Sequence, residues 1–340
     1  MKAKGRPPGM MDVAKLAGVS HQTVSRVLNG SDKVAPHTRE AVEQAIATLG
    51  YRRNSVARAL VTSRSGIIGI ISSAEPAYGP SSILMAIEVA VRRAGYFTGV
   101  APMLNWDAAS LEEACDHLLS LAVEALIVIA PFEVAGGIEA LHNINVPVIV
   151  VAAQPVNINA GQVSVCVDQV SAVRQAMQHL LDLGHRKIAH IEGPQEWYEA
   201  VCRKEAWRNA LNDAGISTQY SCGGGWDAVT GYQAVEQLFA QDAPTAIFAA
   251  NDVLAMGAIR ALHEAGLRVP QDVSIIGFDD IPGISHLVPP LTTIHQDFER
   301  LAKAVVRTMT SAIDGEKIGQ VEAVAADLVI RQSTAAVRND

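Results

Sequence analysis

The run Ile67-Ile68-Gly69-Ile70-Ile71 constrains this chain most. Five successive apolar residues without polar alternation describe a strand covered on both faces, as in a parallel sheet flanked by helices. The pattern recurs. A helical stripe over 83–94 is followed by apolar runs at 97–101, 125–129 and 146–151, with helical periodicity between them. A second set is expected from about Val163, with a helix over 171–183 and strands at 187–191, 246–250 and 273–278. Alternating strands and helices need right-handed crossovers and build doubly wound parallel sheets. Two sets predict two similar lobes with a cleft between them.

The first 65 residues follow a different pattern. Asp12 to Ala17 and Ser20 to Asn29 form two short amphipathic stretches around the tight Gly18-Val19. Ser20 is a natural N-cap, and Val24, Val27 and Leu28 share one helical face. His21, Gln22 and Arg26 point away from it. Two helices joined by a glycine turn, the second exposing hydrogen-bonding side chains, predict a helix-turn-helix with its recognition helix. Arg and Gln one turn apart match the base edges of guanine and adenine. A third helix is expected over 36–49, with Val42, Ala45, Ile46 and Leu49 as its apolar stripe and Gly50 as its C-cap.

Charge supports this division. The 340-residue chain carries a formal net charge of −8, but residues 1–65 hold +7 and the remainder −15. A cationic head on an acidic body suits a DNA-binding unit carried by a domain that DNA repels. Met1 to Met11 is polar, and no apolar stretch reaches membrane-spanning length, so no membrane partner and a cytoplasmic location are expected. Cys115, Cys166, Cys202 and Cys222 are scattered, and His185 and His190 have poor ligand spacing, so no metal or disulfide is implied. No G-x-S-x-G, P-loop or G-x-G-x-x-G is present, which argues against an enzyme and leaves no cofactor expected. A transport solute-binding protein would share the lobes but not the head.

Asp12-Val13-Ala14, Ala17-Gly18-Val19-Ser20, Thr23-Val24-Ser25-Arg26-Val27-Leu28-Asn29 and Thr38-Arg39 resemble the headpiece of the LacI/GalR family of transcriptional regulators. Asn251-Asp252, Gly277-Phe278-Asp279-Asp280 and Pro290-Leu291-Thr292-Thr293-Ile294 are similar to that family's regulatory domain. The resemblance implies an all-α helix-turn-helix headpiece and an α/β domain of two doubly wound parallel-sheet lobes, like periplasmic binding proteins. It implies a disordered basic tail at 1–10, a DNA-binding domain at 11–53, a hinge helix at 54–65 and an effector and dimerisation domain at 66–340. Three crossings near 162–166, 291–295 and 321–327 would make lobe one 66–163 plus 294–323 and lobe two 164–292 plus 324–340. It further implies a homodimer on a near-palindromic operator. Ser20, His21, Gln22, Thr23, Ser25, Arg26 and Asn29 of the recognition helix, with Asn54, Ala57 and Leu60 of the hinge, would meet DNA. Leu60 would wedge a minor-groove base step.

In parallel α/β lobes, ligands sit beyond the carboxyl ends of the strands. That rule selects Ser72-Ser73, Ala130-Pro131, Ala152-Ala153, Asn251-Asp252 and Asp279-Asp280. Trp226 offers a ring face to a sugar, and Arg203 a fixed fork to paired hydroxyls or a carboxylate. The resemblance places Ser73, Tyr78, Arg203, Trp226, Asn251 and Asp279 at an effector site, with a sugar as first-choice ligand. Against this, Asn251 and Asp279 suit helix caps, Trp226 a core position and Arg203 a surface one. Two departures stand out: Ile129 and Ala152 fall where sugar-binding members often carry polar residues, and apolar walls there suit a different or less polar ligand.

Overall fold

The computed structural model describes residues 8–28, 30–51, 64–130, 141, 144–153, 162–217, 220–316 and 323–338. The chain divides into two compact units, 1–65 and 66–340. Asn29, the hinge residues Asn54, Ala57 and Leu60, and all but the last three residues of the basic tail lie outside the described residues.

In the first unit α1 (Met10–Ala17), α2 (His21–Leu28) and α3 (Pro36–Leu49) enclose a core of Val13, Ala14, Val24, Val27, Val42 and Ala45. Gly18 ends α1 in the left-handed region at φ 66°, which glycine adopts without a Cβ penalty, and its N–H returns to the Ala14 carbonyl. Gly50 ends α3 in the same way at φ 60°. Leu28, Ile46 and Leu49 are half-buried against this core. Full burial of a valine contributes roughly 1.5–3 kcal/mol, so a few such residues dominate the stability of so small a unit.

In the second unit β1 (Ile67–Ser73), α4 (Tyr78–Arg93), β2 (Phe97–Met103), α5 (Ala108–Ser120), β3 (Ala125–Ile129), β4 (Val148–Ala152) and β5 (Gln162–Cys166) follow in order. They form a five-stranded, wholly parallel sheet, β2-β1-β3-β4-β5. The strand beginning at Val163 was expected to open the second set. It closes the first instead, pairing in register with β4 from Val148↔Gln162 to Ala152↔Cys166. Its run of apolar and small residues fits either sheet, and only pairing decides between them.

After α6 (Gln169–Asp182) the second sheet is built from β6 (Ile188–Glu192), α7 (Tyr198–Asp213), β7 (Ser221–Gly223), α8 (Ala228–Gln241), β8 (Ala246–Ala249), α9 (Asp252–Glu264) and β9 (Ser274–Ile276). Its order is β7-β6-β8-β9, again parallel. β10 (Thr293–Gln296) and β11 (Ala326–Val329) pair antiparallel in a separate ribbon. Between them α10 (Phe298–Ile313) returns to pack on α4. The ribbon meets the second sheet through the bridges Ile276↔Thr292 and Asp279↔His295. One continuous core runs from Ile68 and Ile127 through Val173 and Met177 to Trp207 and Phe248.

Candidate nucleic-acid interface and ligand cleft

On α2 the buried pair Val24 and Val27 fixes the helix orientation, which leaves His21, Gln22 and Arg26 exposed on the opposite side. The Ser20 Oγ accepts the Thr23 N–H at 3.1 Å and lies 2.9 Å from the Thr23 hydroxyl. Ser20 therefore caps the helix and engages Thr23, while Ser25 is half-buried. The result is an exposed ridge of one imidazole, one amide and one guanidinium, whose donors and acceptors suit a major groove.

The second unit holds a cavity of about 610 Å³. Tyr78 enters it from the start of α4, Trp197, Glu199 and Arg203 from the start of α7, Trp226 and Asp227 from the turn before α8, and Asn251 and Asp279 from the ends of β8 and β9. The structure thus brings together five of the six expected residues. Ser73 is the exception and is absent from the lining. Its Oγ instead accepts the Glu75 N–H at 3.1 Å, a local turn that engages the hydroxyl.

Arg203 is 4% exposed. Its Nε donates to Gln169 Oε1 at 2.9 Å and its Nη1 to the Ala250 carbonyl at 2.5 Å. Its Nη2 lies 3.5 Å from Asp279 Oδ1, and the guanidinium stacks over the Phe278 ring at 3.7 Å. Gln169 Nε2 donates to Gln296 Oε1 at 3.2 Å, and Gln296 Nε2 donates to Asp279 Oδ1 at 2.7 Å. Four side chains from α6, α7, β9 and β10 thereby close a buried ring. Asp279 adopts φ 106°, outside the common regions for a non-glycine residue, a strain of about 1–3 kcal/mol that the ring must offset. Burial pushes its carboxyl up to about 6 although Arg203 and Gln296 pull it down.

Asn251 caps α9, its Oδ1 accepting the Leu254 N–H at 2.7 Å. It also anchors the neighbouring turn, its Nδ2 donating to the Trp226 carbonyl at 3.1 Å. The Trp226 ring packs edge-on to Trp197, with centroids 5.6 Å apart, and a Cβ at Gly193 would overlap it.

Sequence reasoning missed Glu199 and Trp197. Glu199 lies one helical turn before Arg203, and that i, i+4 spacing was the available signal. Burial pushes its carboxyl up to about 7, against the pull of Arg203. Ile129 and Ala152 line a second, enclosed chamber of about 30 Å³, which shares Gly79, Pro80 and Glu199 with the main cleft.

Among the described residues no cluster of His, Cys, Asp and Glu has the arrangement of a metal site. His185 is bonded to Thr245 and Ser274, and His190 is stacked between Trp207 and Phe248, its basicity lowered to about 4 by burial. No helix among the described residues is long and apolar enough to cross a membrane.

A helix-turn-helix head and a two-lobed parallel α/β body with a polar cleft define the class of ligand-binding DNA regulators. Residues 9–54 match the bacterial regulatory proteins of the lacI family, and residues 177–334 a periplasmic binding protein-like domain. The lactose operon repressor of Escherichia coli is 34% identical over 97% of this chain and 92% of its own length. The HTH-type transcriptional regulator CelR of Thermobifida fusca is 35% identical over 96% and 98%. A Lac repressor dimer crystallised with operator and the anti-inducer ONPF superposes with a TM-score of 0.85 at 34% identity, covering 97% of this chain and 100% of that one. A CelR–cellobiose complex gives 0.68 at 32%, covering 96% and 99%. The chain belongs to the LacI family of DNA-binding transcriptional regulators.

Proposed function

We propose that this regulator is a repressor of a carbohydrate-utilisation operon, acting in the cytoplasm as a homodimer on a near-palindromic operator. The exposed ridge of α2, set by the burial of Val24 and Val27, carries this reading. Gln22 and Arg26, with His21, read base edges in successive major grooves. Ser20, Thr23, Ser25 and Asn29 contact phosphates and set register. Asn54, Ala57 and Leu60 form the hinge, with Leu60 at the central base step. The effector occupies the cleft between Tyr78, Trp226, Arg203, Asn251 and Asp279, with Ser73 outside it, and a sugar is the first choice. Trp226 and Trp197 supply the aromatic faces on which a sugar ring stacks. A cellobiose complex of CelR is consistent with that choice. A second reading, a non-sugar, less polar metabolite in the same cleft, is favoured by Ile129 and Ala152, which wall the adjoining chamber with apolar side chains.

Footprinting of Arg26→Ala tests the base-reading role. Loss of one bidentate base contact is expected to weaken operator protection by roughly tenfold to a hundredfold, about 1–3 kcal/mol, at an unchanged melting temperature. Equal protection by the variant would refute it.

A further inference from the structure

Most polar side chains of the cleft are already engaged. Asn251 spends both ends of its amide on Leu254 and Trp226, and Asp227 accepts from the Thr230 N–H and hydroxyl. Arg203, the cation of the cleft, faces Asp279 and donates to Gln169 and Ala250. Two buried atoms of the cleft stand apart: among the described residues, the acceptor Glu199 Oε2 and the donor Trp226 Nε1 have no hydrogen-bond partner. Unmade hydrogen bonds of this kind are costly and rare, and both belong to residues lining the same cavity.

The geometry points to Glu199 as the residue that selects the effector: an uncharged polyhydroxylated molecule whose hydroxyl donates to the Glu199 carboxylate at the junction of the main cleft and the inner chamber. This rests on the sugar-binding reading of the cleft. A phosphorylated or carboxylated ligand would bring a second negative charge to Glu199, with Arg203 already matched to Asp279. An ammonium would satisfy Glu199 and leave the Trp226 N–H idle. A hydroxyl is both donor and acceptor, so a polyol satisfies both groups. The chamber beyond, walled by Ile129 and Ala152 and about 30 Å³ in volume, admits a group of one or two heavy atoms such as a hydroxymethyl.

The test is calorimetry and thermal shift on the full chain with cellobiose, lactose, glucose and galactose as neutral probes, glucose 6-phosphate and gluconate as anions, glucosamine as a cation, and hypoxanthine as a planar heterocycle. At least one neutral sugar is expected to bind and the anions to leave the melting temperature unmoved. At pH 8, above the value of about 7 at which the buried Glu199 carboxyl loses its proton, Glu199→Gln is expected to weaken that sugar by at least about tenfold, because a hydrogen bond to a charged acceptor is lost. Glu199→Asp, which keeps the charge on a shorter stem, is expected to fall between the two, and circular dichroism shows whether each variant is folded. Undiminished sugar binding by folded Glu199→Gln would overturn the inference while leaving the sugar reading intact, as would an anion or glucosamine binding most tightly. Binding of hypoxanthine with no sugar, or of no probe at all, would overturn the sugar reading and this inference with it.

Discussion

Glu199 carries a stability signature that needs no ligand. Its carboxyl is held at about 7 by burial, above its ordinary value of 4.5. A raised carboxyl means that the folded state binds the proton more tightly than the unfolded chain. The associated stability is complete below the ordinary value and is lost as pH rises through about 7. Asp279, raised to about 6, and Asp252, raised to about 8 by burial and the nearby Asp279 against the pull of Thr293 and the Ile281 N–H, act in the same direction. Glu199→Gln removes one of these three contributions. Its melting temperature is expected to gain on the parent from about pH 5 to about pH 8, by on the order of 1 kcal/mol once water in the cleft is allowed for. A gap that stays constant with pH would contradict the assignment. Individual residues were legible where a local rule applied. Ser20 and Gly18 follow capping chemistry, and Asn251 and Asp279 follow the strand-end rule. Ser73 satisfied the strand-end rule too, but its hydroxyl is used by its own turn. Glu199 enters from a helix start, where no strand-end rule looks.

The apolar runs at β1, β3, β4 and β8 are unbroken enough to be visible in the sequence, β6 shows through despite His190 at its centre, and their helices follow from the intervening periodicity. The elements that escaped have little pattern to show. β7 is three residues ending in a glycine-rich turn, and β10 and β11 form a ribbon whose partners are about 30 residues apart. α4 begins at Tyr78 rather than at the apolar stripe from Ile83, because Pro80 is tolerated in a first helical turn where its missing N–H costs nothing. The ring of Arg203, Gln169, Gln296 and Asp279 joins four elements, some of them legible one by one, that no local pattern links to each other. Gln296→Leu would leave Gln169 Oε1 with Arg203 but strip Asp279 of its amide donor. A loss of about 1–3 kcal/mol is expected, seen as a melting temperature lower by roughly 2–10 °C. An unchanged melting temperature would show that the ring is incidental to stability.

The charge division of the whole chain, +7 in residues 1–65 and −15 beyond, concentrates DNA affinity in the head and penalises contact by the body. The cleft proposed for the effector lies in the second unit. Regulation therefore requires a coupling free energy between the two sites, and such coupling must be reciprocal. The decisive measurement is fluorescence anisotropy of a labelled operator against this protein, with and without the neutral sugar that gives the largest thermal shift. The expected result is a change in operator Kd of at least about fivefold at saturating sugar, matched by an equal change in sugar Kd at saturating operator. A sugar that binds the cleft and leaves operator affinity unaltered would contradict the account.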